Sequence, residues 1–425
     1  MSRLGTWQIV MFSTMFVGYT LYYYNRKSFS FIMPYVIEED NFDKPTLGAI
    51  TSSIYMSYTL SKFAGGIMSD KVNASRMFPF GLLGVGLLVV AFTLCTSLKM
   101  MVVVWFVQGL FQGMGWPACG KLLKKWFPPS KLGIYWSLLS TSMNIAGGAG
   151  PVVAALLSSS YGWRTALQAS GLVAIFVSFL SFFILKESPS EVGIETAFTH
   201  YKKKKDTSEP TSVIDVVRTP FLWVLIIYCL LNIFMANAIS DWGQLYLIQE
   251  LNYSPTTGGV FVSAFQIGAV IGSIVAGYVT DKQVNKQGLR DAGSARFPFL
   301  LVTILALLSS LHCFNTLVSS ESNLVFICVL SFIMGFCAFG HQSLNGVLVI
   351  EHSTPVMSGT AHAFFSLGGG VGAVLAGYPL SIVAKHFNWY TSLIIVEGAV
   401  ILHLLIMLST WNISTAIGKR RIKSE

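Results

Sequence analysis

The sequence predicts an all-α membrane protein in which twelve transmembrane helices form two pseudo-symmetric six-helix bundles surrounded by membrane lipid. Of the 425 residues, 53% are hydrophobic and only 11% are charged, which is too apolar for a soluble protein of this length. The apolar residues fall into twelve stretches, and about 20 residues are needed to cross a hydrocarbon core. Short motifs also recur in the same order in the two halves of the chain.

The twelve predicted segments follow one another with short connections. They cover 8–36, 46–69, 77–97, 101–120, 133–159 and 166–185 in the first half, and 220–248, 257–280, 297–317, 323–349, 359–384 and 391–411 in the second. The longest polar stretch lies between the sixth and seventh segments and contains four consecutive lysines, 202–205. We therefore divide the chain into a first bundle at 1–186, a cytoplasmic linker at 187–218 and a second bundle with a cytoplasmic tail at 219–425.

Positively charged residues lie mostly on one side of these segments. If both termini are cytoplasmic, twenty-one of the 28 Lys and Arg residues fall on the cytoplasmic side. Four fall on the opposite side, namely Lys44, Lys99, Arg164 and Lys385. Basic residues favour the cytoplasmic side of short loops, so we expect both termini to be cytoplasmic.

Three motifs repeat between the halves, in the same order. The corresponding pairs are Gly66-Ile-Met-Ser-Asp70-Lys71 with Gly277-Tyr-Val-Thr-Asp281-Lys282, Arg76-Met-Phe-Pro79 with Arg296-Phe-Pro298, and Trp163-Arg-Thr with Trp389-Tyr-Thr. An internal repeat of this kind predicts two similar bundles with a substrate cavity between them. We expect the glycines of the first pair to allow close approach of helices.

Arg26 and Lys27 lie near the middle of the first segment, where a bilayer tolerates charge poorly. A central Arg or Lys costs about 2.5–3.5 kcal/mol or more on insertion. The segment interiors contain few acidic residues that could neutralise them, chiefly Asp241 and Glu397. A guanidinium group matches phosphate bidentately, and an ammonium group adds a second charge. We therefore expect Arg26 and Lys27 to form a phosphate site that faces a water-filled cavity.

Further candidates surround this pair. Helical spacing places Tyr19, Tyr22 or Tyr23, and Arg26 on one stripe, which suits a sugar beside its phosphate but is also common in packing. Lys62 is closer to the cytoplasmic end of its segment and could snorkel instead. Other side chains could face the cavity or form interhelical hydrogen bonds, namely Gln112, Trp116, Trp136, Asn144, Asp241, Gln244, His341, Asn345 and His362.

The repeated motif that ends in Asp70-Lys71 and Asp281-Lys282 resembles the signature of the major facilitator superfamily. In that superfamily the motif latches one conformation, which the resemblance assigns here to Gly66, Asp70, Gly277 and Asp281. Four further stretches resemble the organophosphate:phosphate antiporter family, most closely those members of the endoplasmic reticulum that carry glucose 6-phosphate. These stretches are Tyr-Tyr-Asn25-Arg26-Lys27, Gln112-Gly-Met-Gly-Trp116-Pro, Ser140-Thr-Ser-Met-Asn144 and Asp241-Trp-Gly-Gln244.

The family resemblance implies exchange of glucose 6-phosphate for inorganic phosphate across the endoplasmic reticulum membrane by alternating access, in support of a lumenal glucose-6-phosphatase. It also implies that Arg26 binds phosphate beside Lys27 and that His362 lies in the binding site. The family has a second basic residue in the seventh segment, whereas the aligned Met235-Ala-Asn237-Ala has none. Which of His362, Lys27 and Asn237 replaces it stays open.

Other functions keep the same fold. The cargo could be another organophosphate, such as glycerol 3-phosphate or phosphoenolpyruvate, or phosphate alone, and a membrane receptor could bind such a ligand without moving it. The sequence has no nucleophile–base pairing, metal-ligand spacing or phosphate-binding glycine loop. We therefore expect no enzyme activity, cofactor, metal or nucleic-acid partner, and we expect the six cysteines to serve as packing residues.

Two terminal and loop features bear on location. The C-terminus carries Arg421 and Lys423 at the fifth and third positions from its end, which resembles a dilysine retrieval signal. Asn252-Tyr-Ser254 fits a glycosylation acceptor, although its loop is predicted to lie too close to the bilayer for use.

Overall fold

The protein folds into helices that form two compact units. The structure, a computed structural model, describes residues 3–40, 42–128, 132–194, 213–287, 293–353 and 357–417; the side chains of 63–71, 132–134, 137 and 358 are outside that description. The two units are Met1–Asp206 and Thr207–Glu425. Over the described ranges, strand-like pairing is limited to one isolated bridge between Ser353 and Ile417.

The first unit contains seven helices that form six membrane spans. Their bounds are α1 (Arg3–Asp40), α2 (Lys44–Lys71), α3 (Ala74–Thr93), α4 (Leu98–Gln112), α5 (Gly115–Trp126), α6 (Leu132–Tyr161) and α7 (Trp163–Ile184). The fourth span consists of α4 and α5, which a break at Gly113 and Met114 separates. Pro117 explains the break, because it has no N–H to donate to the carbonyl of residue 113.

The second unit repeats this arrangement after a short leading helix. Its helices are α8 (Val213–Val217), α9 (Pro220–Gln249), α10 (Pro255–Gln287), α11 (Phe297–Leu317), α12 (Leu324–His352), α13 (Ser358–Ala376), α14 (Tyr378–His386) and α15 (Trp389–Ser409). The eleventh span is divided at Gly377, two residues before Pro379. The sequence predicted the fourth and eleventh spans as continuous, and in both the break coincides with a glycine and a nearby proline.

Helix length and composition agree with a membrane protein. Nine helical segments in the described part of the chain are long and apolar enough to cross a membrane. The remaining long helices α1, α2 and α6 are more polar, because α1 contains Arg26 and Lys27 and the other two are rich in serine and threonine. Together these segments give six spans in each unit, which confirms the predicted fold class.

The same pairs of spans pack together in both units. In the first unit α1 packs on α6, α2 on α4, and α3 on α7; in the second α9 packs on α13, α10 on α12, and α11 on α15. Small residues permit this contact. A Cβ atom added to Gly86 of α3 would lie 2.7 Å from the carbonyl oxygen of Gly171 in α7, a distance that only a glycine allows at this crossing.

Parts of the predicted linker pack on the units themselves. Glu187 follows α7 and accepts hydrogen bonds from Lys125 Nζ at 2.6 Å and from the backbone N–H of Ser75 at 2.9 Å. A short 3₁₀ helix, Pro189–Val192, comes next. Residues 195–212, including the four lysines, lie outside the described residues. Four cysteines are buried and two are half-buried, and none of the six forms a disulfide.

Candidate functional site

The rotation of α1 is fixed at Asn25, the residue before Arg26. Asn25 is fully buried, and its Oδ1 accepts a hydrogen bond from Ser170 Oγ of α7 at 2.9 Å. Its carbonyl oxygen accepts from Gln108 Nε2 of α4 at 3.3 Å. Since neighbouring residues of a helix point about 100° apart, Arg26 is turned away from these contacts and toward α2.

Arg26 lies against two tyrosine rings. Its guanidinium carbon is 4.4 Å from the ring centroid of Tyr58 on α2 and 4.9 Å from that of Tyr23, which is cation–π geometry. Its Nε and Nη2 atoms are buried and have no hydrogen-bond partner among the described residues. None of the ion pairs between described residues includes Arg26. Within the described part of the chain, the positive charge is therefore held by aromatic rings and has no carboxylate beside it.

The two unpartnered atoms lie on one edge of the guanidinium group. Nε–H and the adjacent Nη2–H point in parallel, and this edge binds two oxygens of one carboxylate or phosphate. In Arg26 this edge is available for a ligand.

An aromatic row continues from Arg26 toward the N-terminal end of α1. Tyr19 lies close enough to interact with the guanidinium group, and its ring centroid is 4.7 Å from that of Trp116 on α5. Trp116 in turn packs edge-on against Trp136 of α6 at 4.7 Å. The structure thus brings together Arg26, Tyr19, Trp116 and Trp136, four of the residues predicted from the sequence.

Tyr22 packs inside the first unit and is not part of the aromatic row. Its hydroxyl donates to the carbonyl oxygen of Phe78 at 2.7 Å, and the side chain is fully buried. The sequence left Tyr22 and Tyr23 as alternatives on the stripe, and it is Tyr23 that contacts Arg26.

Lys27 points to a different part of α2 from Arg26. It is 6% exposed, and its Nζ donates to the hydroxyl of Tyr55 at 2.6 Å. Lys62, by contrast, is half-buried and interacts electrostatically with Tyr58. The structure therefore associates Lys62 with the Arg26 cluster through Tyr58, whereas the Lys27 ammonium is bound to a phenol.

Sequence analysis missed Tyr55 and Tyr58. They lie one turn apart on α2 and face two consecutive basic residues of α1, Arg26 and Lys27. Their spacing from each other and from Lys62 was visible in the sequence. Which helix face they share with α1 was not, because it depends on the rotation of both helices.

Two polar candidates of the first unit have different surroundings. Gln112, the last residue of α4, is 2% exposed, and neither its Nε2 nor its Oε1 has a hydrogen-bond partner. Asn144 is half-buried on α6.

The latch residues Gly66 and Asp70 fall in the stretch 63–71, whose side chains lie outside the described part of the structure.

In the second unit, the candidates on α9 and α13 are engaged within that unit. Asp241 is buried and accepts from Ser240 Oγ at 3.1 Å, and Gln244 is buried one turn later. His362 is half-buried, with Nδ1 at 3.4 Å from Ser366 Oγ.

His341 forms the interhelical hydrogen bond that the sequence offered as its alternative role. Its Nε2 is 3.2 Å from Nε2 of His403 on α15, and its Nδ1 is 3.4 Å from Thr303 Oγ1 on α11. Both histidines are buried. Asn345, one turn later on α12, is fully buried, and both atoms of its amide lack a partner.

The second latch motif contains an ion-pair cluster. Asp281 Oδ1 accepts from Arg296 Nη2 at 2.8 Å, and Glu351 Oε2 accepts from Arg296 Nε at 2.9 Å.

The expectation of close helix contact at Gly277 is wrong for this structure, because a Cβ atom added there meets no atom of the described residues within 4 Å. The close approaches on α10 occur instead at Gly268 and Gly272, which contact the backbone of α12.

Comparisons with known proteins agree with this architecture. The family model "Major Facilitator Superfamily" matches residues 15–377. A probable hexose phosphate transport protein of Chlamydia trachomatis is 32% identical over 96% of this chain and 92% of its own length. The membrane sensor protein UhpC of Escherichia coli is 28% identical over 97% and 94%. A hexose-6-phosphate:phosphate antiporter of Salmonella typhimurium is 24% identical over 79% and 74%.

A solved structure shows the same fold at low sequence identity. A bacterial homologue of the lysosomal transporter Spinster, in an inward-facing conformation, superimposes with a TM-score of 0.72 at 12% identity over 97% of this chain and 96% of that one. The family model and a full-length relative above 30% identity agree with the two six-span units, and this multi-pass membrane protein belongs to the Major Facilitator Superfamily.

Proposed function

We propose that the protein exchanges glucose 6-phosphate for inorganic phosphate across the endoplasmic reticulum membrane by alternating access. The observation that carries this proposal is the edge of Arg26, where two buried N–H groups have no partner. Resemblance of the Arg26 region to organophosphate:phosphate antiporters and similarity to a hexose phosphate transport protein support the choice of cargo.

The charge balance favours an anionic ligand. An arginine in a membrane span whose Nε and Nη2 atoms are buried costs several kcal/mol without a counter-ion, and cation–π contacts return about 0.5–2 kcal/mol. A phosphate dianion at the Arg26 edge completes both hydrogen bonds and neutralises the charge. Lys62, which interacts with Tyr58, supplies a further positive charge on the same side of the cluster.

The aromatic row offers a binding surface for the sugar part of the ligand. Sugars bind proteins through their C–H faces on aromatic rings and through their hydroxyls. Tyr23, Tyr19 and Trp116 extend from the arginine in contact with one another or with its guanidinium group. A phosphate ester of a hexose is long enough to use both parts, whereas inorganic phosphate uses the arginine alone.

Exchange follows from the same charge argument. The empty site leaves Arg26 uncompensated, so the conformational change is favourable when either anion is bound. One ligand must then replace the other before the next cycle. No proton carrier is required, because each transported anion neutralises the site.

The endoplasmic reticulum location rests on the closer family resemblance of the Arg26 region. Arg421 and Lys423, which were predicted to form a retrieval signal, lie outside the described residues. In that membrane the exchanger supplies glucose 6-phosphate to a lumenal glucose-6-phosphatase and returns phosphate.

Exchange in proteoliposomes tests this function. Vesicles loaded with phosphate and containing the wild-type protein are expected to take up labelled phosphate and labelled glucose 6-phosphate. Loss of two charge-assisted hydrogen bonds, each worth about 1.5–3 kcal/mol, predicts a decrease of about 100-fold or more in Arg26→Ala. Arg164→Ala is the matched control, since Arg164 is partly exposed and pairs with Asp40 at 3.1 Å. Wild-type rates in Arg26→Ala would exclude the proposal.

A second candidate is a membrane receptor that binds a phosphorylated sugar without transporting it. Similarity to the membrane sensor protein UhpC favours this alternative. Saturable binding of glucose 6-phosphate by the purified protein, with no exchange in vesicles of verified orientation and tightness, would establish it in place of the exchanger.

A further inference from the structure

Gln112 has a buried amide group whose hydrogen-bonding capacity is unused. The side chain is 2% exposed, and neither the donor nor the acceptor atom has a partner in the part of the chain that the structure describes. More than about 90% of buried polar groups in proteins are hydrogen-bonded. An unsatisfied buried group costs about 1–3 kcal/mol, so this amide calls for a polar partner from outside the protein.

The contacts around Gln112 place it beside the Arg26 cluster. Ser61 of α2 donates to the α4 carbonyl two residues before Gln112, and Ser61 lies one turn after Tyr58, whose ring holds the Arg26 guanidinium group. In the other direction, Trp116 follows Gln112 by four residues and contacts Tyr19. Gln112 therefore lies between the two elements that carry the aromatic cluster.

Gln112 differs from the other glutamine on the same face of α4. Gln108, one turn earlier on the same face, donates from Nε2 to the carbonyl oxygen of Asn25. Gln112 ends α4, and α5 begins three residues later at Gly115. Gln108 thus uses its donor within the protein, whereas the amide of Gln112 does not.

We propose that Gln112 is the specificity-determining residue that hydrogen-bonds the hydroxyl groups of the sugar while Arg26 holds the phosphate. This inference rests on the proposed function. A neutral amide presents one donor edge and one acceptor, and neighbouring sugar hydroxyls both donate and accept. Because the Gln112 amide carries no charge, it does not help to neutralise the ligand. Its contribution to binding is therefore confined to the sugar.

The test compares two exchange rates within one preparation. Gln112→Met keeps length and volume but removes both hydrogen-bonding groups. The ratio of glucose 6-phosphate uptake to phosphate uptake, in phosphate-loaded vesicles, is expected to fall about tenfold or more relative to wild type. Gln168→Met is the matched control, because the Gln168 amide donates to Thr93 Oγ1 at 3.0 Å and so has a partner within the protein. This variant is expected to keep the wild-type ratio.

The phosphate uptake rate of each variant reports folding. Should Gln112→Met yield no uptake of either ligand, Gln112→Asn withdraws the amide by one methylene and is expected to lower the same ratio. An unchanged ratio in the active variant overturns the inference and leaves the exchanger intact. Absence of exchange in the wild-type protein overturns the proposed function itself, so the two failures are distinguishable.

Discussion

Arg26 in the first unit is half-buried and Arg296 in the second is buried, and their guanidinium groups are satisfied in opposite ways. Arg296 uses its Nε and Nη2 edge to bind both oxygens of Glu351, and Nη2 also donates to Asp281. The same edge of Arg26 has no partner, and tyrosine rings lie on its faces.

The difference teaches how to recognise a ligand site among buried charges. A guanidinium group whose edge is filled by a protein carboxylate contributes to structure, and removing it leaves unpaired acids. A guanidinium group whose edge has no partner lowers the stability of the folded protein, and a bound anion can restore that stability. Arg296 also shows which partner this edge accepts, namely two oxygens of one anion.

The largest expected effect is on the exchange rate of an Arg26 variant, and thermal stability is expected not to fall with it. Arg26→Met is expected to lower phosphate exchange by about 100-fold or more, because two charge-assisted hydrogen bonds to the ligand are lost. Its thermal unfolding temperature is expected to equal or exceed that of the wild-type protein without ligand, because an uncompensated buried charge is removed. A marked decrease in that temperature would show that Arg26 has a structural partner.

The matched change in the second unit is expected to act on stability. Arg296→Met leaves Glu351 and Asp281 without their counter-charge. The cost is expected to stay below that of breaking a fully buried pair, about 3–5 kcal/mol, because the Asp281 side chain is 64% exposed. The thermal unfolding temperature in detergent is expected to fall clearly below that of Arg26→Met. Adding Glu351→Gln to Arg296→Met should restore part of the loss; no recovery would contradict the ion-pair assignment.

Tyr58 gives a smaller effect that depends on its ring. Tyr58→Phe keeps the cation–π contact with Arg26, whereas Tyr58→Leu removes it at a cost of about 0.5–2 kcal/mol. The apparent affinity for phosphate is therefore expected to weaken several-fold more in Tyr58→Leu than in Tyr58→Phe. Equal affinities in the two variants would mean that the ring does not orient the guanidinium group.

The smallest effect concerns Glu187, outside the membrane spans. Burial acts to raise the pKa of its carboxyl group, but hydrogen bonds from Lys125 and the Ser75 N–H, with the charges of Lys125 and Lys121, lower the pKa overall below 4.5. A lowered pKa gives stability that is present above the ordinary Glu range and is lost as pH falls through the folded value. The half-exposed lysines limit this to about 1 kcal/mol.

Glu187→Gln is expected to reduce the loss of thermal stability between neutral and acidic pH. Glu321→Gln, a change of the same charge on an exposed loop, is the control and should keep the wild-type pH profile. Identical profiles for the two variants would exclude a stabilising role for the Glu187 contacts.

Much of the fold was predictable because bilayer thickness fixes the length of each apolar stretch. The repeated motifs also indicated two equivalent halves, and the structure gives the same helix pairs in each. The breaks at Gly113 and Gly377 were not predicted, since apolar composition continues across them. Proline in a membrane helix can be accommodated without interruption, so Pro117 and Pro379 alone did not specify a break.

The site was predictable in its central residue and less so in its partners. Arg26 stood out because charge at mid-membrane depth is costly, whatever its neighbours are. Tyr58 and Tyr55 were missed because the contact between α1 and α2 depends on helix rotation, which Asn25 fixes through side chains from α4 and α7. For the same reason the sequence could not decide between a cavity role and the His403 contact for His341.

The most direct test of the central claim measures phosphate binding at the vacant edge of Arg26 without relying on transport. Thermal unfolding of the purified protein is followed as phosphate is added, since a ligand that binds the folded state raises the unfolding temperature. The wild-type protein and Arg164→Ala are expected to show the rise, and Arg26→Met is expected to show none. An equal phosphate-dependent rise in Arg26→Met would contradict the account.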